Sequence, residues 1–552
     1  MKFALAVASL LLAASNVSPV LAAESPVAPA GNCAAPFSPG TAGVPQWNGW
    51  GAGVSEDRFQ PAALAGLDAA SVPKLKLKWA FGFPGATRAY GQPTVFGGRV
   101  FVGSADDHVY ALDAKTGCAA WAFDAGSGVR TAISIGPIGD RWAAYFGDQS
   151  GNAYAIDATT GTLIWKAHVD THPQVVITGA PLLSGGTLYV PASSSEEGSA
   201  ANPSYPCCTF RGSVSAIDAA TGKTLWKTYT IAEAPAPQGK NKAGVTLMSP
   251  SGAAIWSAPA LDPARHTLYV ATGDSYSDPA APTSDAILAL DTTNGKLLWT
   301  RQMTAGDAEN LACGLPGPYD TNCPQENGPD FDFGSSPMLA TLPSGGRVLI
   351  AEQKSGMVYG LDPDHGGAIL WQRRVGKGSK LGGVQWGGAT DGDTAYVAVS
   401  DVALAPAAIG TSGSQPTAFG FAMLLSPTAG GGLYALDVRT GAVRWTTPHP
   451  GCHDKPGCSP AQSSAVSAIP GVVFSGGLDG HLRAYAATTG AIVWDIDTEH
   501  DYTTVNNVKA TGGSIDGPGP TIAGGMLYVE SGYSFFGTAP GNVLLAFSID
   551  GT

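Results

Sequence analysis

Seven segments of this 552-residue chain repeat one pattern: an alternating apolar run, an Asp, a short turn ending in Gly, and a Trp four residues after that Gly. They are VYALDAKTGCAAW (109–121), AYAIDATTGTLIW (153–165), VSAIDAATGKTLW (214–226), ILALDTTNGKLLW (287–299), VYGLDPDHGGAILW (358–371), LYALDVRTGAVRW (433–445) and LRAYAATTGAIVW (482–494). The fifth has one inserted residue, and the seventh carries Ala486 where the others carry Asp. The pattern is that of a hairpin. Alternation makes a strand, Asp bonds its own backbone to open the turn, Gly supplies a positive φ, and Trp begins the returning strand. No such unit buries its apolar face alone, so neighbours must share a core. Spacings of 44 to 74 residues between these Trp residues suit a four-stranded propeller blade with loops of variable length. The count comes to eight. VLLAFSID (543–550) matches the strand before the turn, and LKLKWAF (75–81) matches the strand after it and carries Trp79. The two ends of the chain are therefore expected to complete one blade together, closing an all-β, eight-bladed ring and removing its open edges. A linear β-solenoid, the alternative, leaves the complementary half-repeats unexplained.

Composition agrees. The 74 Gly and 41 Pro supply turns, and 44% hydrophobic residues exclude a disordered chain. A net charge of −13 argues against nucleic acid and against an anionic membrane surface as partners.

Residues 1–23 have a Lys2 n-region, an apolar stretch and a small-residue end, the pattern of a secretory signal, leaving 24–552 as a single propeller domain in the periplasm. Ser15 to Pro19 interrupt the apolar run, and no other stretch is long enough for a membrane span. Eight cysteines in an exported chain predict disulfides. Spacing suggests Cys313–Cys323 and Cys452–Cys458, which leaves Cys33–Cys118. The adjacent Cys207 and Cys208 either form an eight-membered ring or join two separate long-range bridges. His449, Cys452, His453 and Cys458 form an alternative zinc set to the small disulfide loop. The chain has no Cys-x-x-Cys-His for covalent haem.

The repeat resembles the tryptophan-docking motif of the pyrroloquinoline quinone (PQQ) dehydrogenases, quinoprotein alcohol dehydrogenases whose eight-bladed propeller holds PQQ and Ca²⁺ on its axis. The segments between repeats extend the resemblance over nearly the whole mature chain. VRTA (129–132) matches the position of an Arg that grips the quinone carboxylates, here Arg130. ITGAPLLSGGTLYVPASSSEE (177–197) looks like the stretch ending in a metal-binding Glu. That implies Thr178 as a quinone contact and Glu197 as a Ca²⁺ ligand, with Glu196 left open beside it. GAAIWSAPALDPARHTLYVATGD (252–274) implies Trp256 as the ring stacked on the quinone and Asp274 as a metal ligand, where the alcohol enzymes usually carry Asn. DFDFGSSPML (330–339) implies Asp330 as the catalytic base and a metal ligand, with Asp332 its reserve. In MTAGDAEN (303–310), Asp307 competes for the base, and the usual Asp position can instead fall on Asn310. Lys354 in VLIAEQKSGMVYGLD (348–362) is implied as the cation on the quinone carbonyls, and Trp386 in VQWGG (384–388) as a weaker contact. In relatives a vicinal cysteine ring lies against the quinone. Here Cys207–Cys208 sits in a different segment, so its contact with PQQ stays open.

Several stretches look closest to the branch of the family that oxidises polyvinyl alcohol. They are WNGWGAGVSEDRFQ (47–60), the segment from SSEE to CCTFRG, the insertion around Cys313 and Cys323, and GGSIDGPGPTIAGGMLYVESGY (512–533). The resemblance implies oxidation of secondary alcohol groups of a polymer, with electrons passed to a periplasmic cytochrome c. A small alcohol or sugar as substrate, a lanthanide in place of Ca²⁺, and a non-catalytic envelope scaffold are the alternatives.

Overall fold

A computed structural model describes residues 36–551 apart from 41–42, 316, 343, 408–414, 417–421, 453–454, 456 and 535–536. The expected signal segment 1–23 lies outside the described residues, as does Cys33. Among the described residues, no helix is long and apolar enough to cross a membrane.

Strands Thr94–Phe96, Arg99–Gly103, His108–Asp113 and Ala119–Asp124 pair antiparallel in chain order to form blade 1. Seven further sheets repeat that order, and their first strands lie at Ser134–Ile138, Leu182–Ser184, Ala260–Asp262, Met338–Thr341, Ala389–Thr390, Ser467–Ile469 and Thr521–Ala523. First strands touch between blades 2 and 3 and from blade 4 on to blade 8, and blade 8 touches blade 1, so the first strands ring an axis. In blade 8, Met526–Ser531 pairs with Val543–Ser548, which pairs with Lys76–Gly82 from the other end of the chain. The expected closure of the ring is what the structure has.

Each repeated Trp docks on the next blade. Trp79 donates its indole N–H to Ala114 O, Trp121 to Ala158 O, Trp165 to Ala219 O, Trp371 to Val438 O and Trp445 to Ala487 O, over 2.7 to 3.3 Å. The ring lies on the Gly of that blade's turn. At Gly441 φ is +65°, and a Cβ there would stand 2.4 Å from Trp371. Both the backbone twist and the docked ring therefore require Gly.

Residues 47–60 follow no repeat, yet they visit the first strands in blade order. Trp47 exchanges backbone bonds with Val95 in blade 1, and the Asn48 side chain bonds Ile135 in blade 2. Carbonyls of Val54, Ser55, Asp57 and Arg58 then accept N–H bonds from Leu261, Leu339, Thr390 and Ala468 in blades 4 to 7. Gln60 Nε2 reaches Ile522 O in blade 8. Val54 also packs against the apolar cluster that holds Leu182 and Tyr189 of blade 3. The fastener is Arg58, 1% exposed, lying 5.4 and 5.0 Å from the ring centres of Trp47 and Trp50. It donates to Trp50 O, Val466 O and Ser467 Oγ.

Candidate cofactor and metal site

Every blade except the first contributes to a cavity of about 400 Å³ on the axis. The contributing residues sit in the loops between blades and between each blade's second and third strands, all on one face. Trp50 of the segment 47–60 packs on the cluster of Trp386, Ala465 and Tyr533 behind the cavity wall. Of the residues expected from sequence, Arg130, Thr178, Glu197, Trp256, Asp274, Asp330, Asp332, Lys354 and Trp386 all line this cavity.

One wall is acidic. Carboxylate oxygens of Asp274, Asp330 and Asp332 lie within 4.8 Å of one another, and so do those of Glu197, Glu309 and Asp330. Lys354 Nζ donates to Asp330 Oδ1 at 2.6 Å and Asp332 Oδ2 at 2.9 Å. Asp332 Oδ1 accepts the Asp274 N–H at 2.7 Å, while Asp274 Oδ2 accepts the Glu309 N–H at 3.1 Å. Lys380 pairs with Glu309. Five carboxylates thus face two ammonium groups. Burial, opposed by Lys354 and reinforced by Asp332, pushes the Glu197 carboxyl up to about 7. Burial together with Asp332 and Asp330 raises Asp274 well above the usual range. Around Lys354 burial disfavours the charge, but Asp330, Asp332 and Glu197 outweigh it and hold the ammonium well above its ordinary value. Surplus negative charge on hard oxygen donors is the donor set of a multivalent cation such as Ca²⁺.

The lining beside it is aromatic and cationic, with the Trp256 ring centre 5.7 Å from Lys354 Nζ. Trp256 and Trp386 meet edge to face at 5.4 Å, and Gly334 lets Trp256 in, since a Cβ there would lie 2.0 Å from the ring. The Arg130 guanidinium lies 4.4 Å from the Trp386 ring centre and 5.6 Å from that of Tyr533. Its Nη2 is buried and without a hydrogen-bond partner. A buried, unanswered guanidinium nitrogen in a cavity is what a carboxylate-bearing ligand satisfies. The residues present therefore fit a flat, carboxylate-bearing quinone such as PQQ.

The remaining expectations fare differently. Glu196 is fully buried outside the cavity, accepting N–H bonds from Thr209 and Phe210 and the Tyr205 hydroxyl, so Glu197 alone of the pair faces the cavity. Asp307, expected as a rival base, does not line the cavity. Both its oxygens are taken by the N–H groups of Asp330 and Phe331, at 3.0 and 2.9 Å. Asn310 also stays outside, bonding Tyr276 O and Asn322 O. Cys207 and Cys208 form the ring, but it does not line the cavity. It packs with Phe210, Ala254 and Tyr276, the last two of which do. Cys313–Cys323 and Cys452–Cys458 are bonded as expected, and the latter bridge rules out the zinc set. Cys118 is disulfide-bonded too. Sequence reasoning missed Glu309, Lys380, Asp516 and Tyr533, the last three of which line the cavity. Of these, only Glu309 had a signal, as the acidic residue beside Asn310.

A family model described as the glucose/ethanol/alcohol dehydrogenase β-propeller domain matches residues 47–311. A polyvinylalcohol dehydrogenase of a Pseudomonas species is 44% identical over 522 residues, covering 92% of this chain and 77% of the relative. A second, from a Sphingopyxis species, is 42% identical with the same coverage. The solved quinohemoprotein alcohol dehydrogenase ADHIIG of Pseudomonas putida superposes with a TM-score of 0.68 at 19% identity, over 94% of this chain and 83% of that one, which shows the shared fold. The chain belongs to the PQQ-dependent quinoprotein alcohol dehydrogenases. Within that class, the relatives sharing 42–44% of its residues are polyvinylalcohol dehydrogenases.

Proposed function

We propose that the protein oxidises secondary hydroxyl groups of polyvinyl alcohol to ketones in the periplasm, with Ca²⁺ beside PQQ and a cytochrome c as electron acceptor. The observation that carries the reading is the cavity itself, an acidic wall beside an unpartnered Arg130 and the Trp256–Trp386 pair. The polymer comes from the two polyvinylalcohol dehydrogenase relatives, and the acceptor from a relative described as lupanine 17-hydroxylase [cytochrome c].

PQQ, when bound, supplies the two-electron acceptor, and the cation supplies Lewis-acid polarisation. Arg130, Thr178 and Trp256 hold the quinone, with Trp386 behind Arg130, and Glu197, Asp274 and Asp330 offer oxygens to the cation. Asp330 takes the proton of the substrate hydroxyl. Its backbone sits at φ +57°, a conformation that costs free energy in a non-Gly residue and is held here by Asp307. Burial, opposed by Lys354 and reinforced by Asp332, raises the Asp330 carboxyl well above its ordinary value, toward that of a working base. Lys354 keeps Asp330 and Asp332 in place and brings positive charge to where negative charge develops. Tyr276 and Leu311 line the cavity and exclude water from the reacting carbon.

The test is reconstitution of the purified protein with PQQ and Ca²⁺, following dye reduction with polyvinyl alcohol and with 2-pentanol. Turnover that requires both PQQ and the polymer supports the reading. Turnover on 2-pentanol alone removes the polymer, and no turnover with either removes the catalysis.

A further inference from the structure

A second pocket of about 360 Å³ opens on the same face, over blade 1, the one blade that gives nothing to the central cavity. Its wall is the loop Gly85–Tyr90 together with Asp107 and Gly128, and it shares Arg130, Gln149 and Tyr533 with the central cavity. The two spaces therefore lie side by side, with those three side chains between them. The pocket mixes polar groups with flat apolar ones. Thr87, Asp107 and Gln149 offer hydroxyl, carboxylate and amide, while Tyr90 and Tyr533 stand edge to face at 6.3 Å. Arg88 and Asp107 offset each other, and Arg130, the remaining charge of the lining, is the group assigned above to the cofactor, which leaves a lining suited to a ligand with no net charge.

We infer that this pocket is a subsite for the stretch of polymer backbone next to the hydroxyl being oxidised. The inference rests on the polymer reading above. An internal hydroxyl of a long chain reaches a reaction centre only if the backbone runs away from it on both sides, so a single-mouthed cavity admits chain ends alone. A poly-secondary alcohol alternates methylene and hydroxyl carbons along a neutral backbone. It needs aromatic faces for the methylenes and hydrogen-bonding groups for the hydroxyls. The pocket over blade 1 offers both and opens beside the catalytic cavity on the same face.

The experiment fills the pocket without touching the shared walls. Thr87 is exposed and Ala86 half-buried, and neither belongs to the cofactor or metal site. Thr87→Trp and Ala86→Trp are made separately, loaded with PQQ and Ca²⁺, and assayed with an artificial dye as electron acceptor. The expected result in at least one variant is a fall of tenfold or more in kcat/KM for polyvinyl alcohol, with kcat/KM for 2-pentanol within twofold of the parent. The same variant without cofactor is expected to bind polyvinyl alcohol oligomers at least severalfold more weakly, read by tryptophan fluorescence. A constant ratio of polymer to 2-pentanol activity in both variants, whether both activities stand or both fall, overturns the inference. A parent enzyme active on 2-pentanol and inert on the polymer removes the polymer reading, and this subsite with it.

Discussion

Lys354 brings its ammonium to two of the five carboxylates on the acidic wall, and among the described residues Lys380 alone pairs with another of them. Lys354→Met is expected to lower kcat by about 10²–10³-fold, the loss typical of one preorganised charge partner. PQQ retention measured on the same variant separates lost chemistry from lost binding. Asp307 acts through Asp330. In Asp307→Asn one backbone N–H loses its acceptor, and kcat is expected to fall roughly 10- to 100-fold with KM nearly constant, because a displaced base costs rate more than binding. Unchanged kcat would show that Asp330 stands without that brace. The Glu197 carboxyl, pushed up to about 7, makes the cation-free protein pH-dependent. The unfolded chain releases this proton at the ordinary Glu value and the folded chain only near 7, so folding stability is lost as pH rises between the two. Tm of the cation-free protein is expected to fall from about pH 5 to about pH 8, and Ca²⁺, which binds the deprotonated form, to reverse the fall. Thermal scans with and without Ca²⁺ at both ends of that range check it. Nine site residues could be read from the sequence because each sits in a segment with a family counterpart. Lys380, Asp516 and Tyr533 could not, since only the convergence of distant loops brings them to the cavity, and Glu309, beside Glu197 and Asp330, was signalled only as the acidic neighbour of Asn310. The same holds for telling Glu196 from Glu197, neighbours in sequence that face opposite ways.

At the scale of the hairpin, the repeat shows how little of a turn its sequence must specify. In six turns an Asp side chain accepts backbone N–H bonds, as Asp113 does from Lys115 and Thr116 at 3.1 and 2.8 Å. In the seventh, Ala486 has only its backbone, and the turn still closes through Gly490 N–H to Ala486 O at 2.8 Å. Ala486→Asp is therefore expected to stabilise the protein by about 0.5–1 kcal/mol by adding the missing bonds. Denaturant titration measures it, and a loss of stability would mean the turn cannot seat the carboxylate. The docked Trp is less dispensable. Trp371, 8% exposed, fills the space over Gly441, and Trp371→Ala is expected to cost about 3–5 kcal/mol on the same assay. This level was legible because hairpin chemistry repeats at fixed offsets. The excursions were not, among them the hairpin of Ala236–Lys240 with Thr246–Ser249, which belongs to no repeat.

Over the whole molecule, closure depends on two pieces of the N-terminal region. One is the strand Lys76–Gly82 in blade 8, which the half-repeats announced. The other is the segment 47–60, whose course follows no periodicity and emerged only from where its hydrogen bonds go. Arg58→Ala leaves the carbonyls of Trp50 and Val466 without their donor and opens the space between Trp47 and Trp50. Such a loss inside a buried polar network is expected to cost about 3–5 kcal/mol and lower Tm by several degrees. Because Trp50 packs behind the cavity residues Trp386 and Tyr533, the same variant is expected to retain PQQ less well. A variant as stable as the parent would show that the blades hold the ring without the segment.

The segment also counts. Ring proteins change size across evolution by copying or dropping one unit, and an unanchored ring tolerates that by adjusting its radius. Here a single segment carries successive hydrogen-bonding points for seven of the eight first strands and places Val54 in the apolar cluster of the remaining one, and a ring of seven or nine copies would leave points without partners or strands without points. Spacings of 44 to 74 residues record how freely the loops have grown. The copy number itself is written, a residue or a few at a time, into fourteen residues that belong to no repeat.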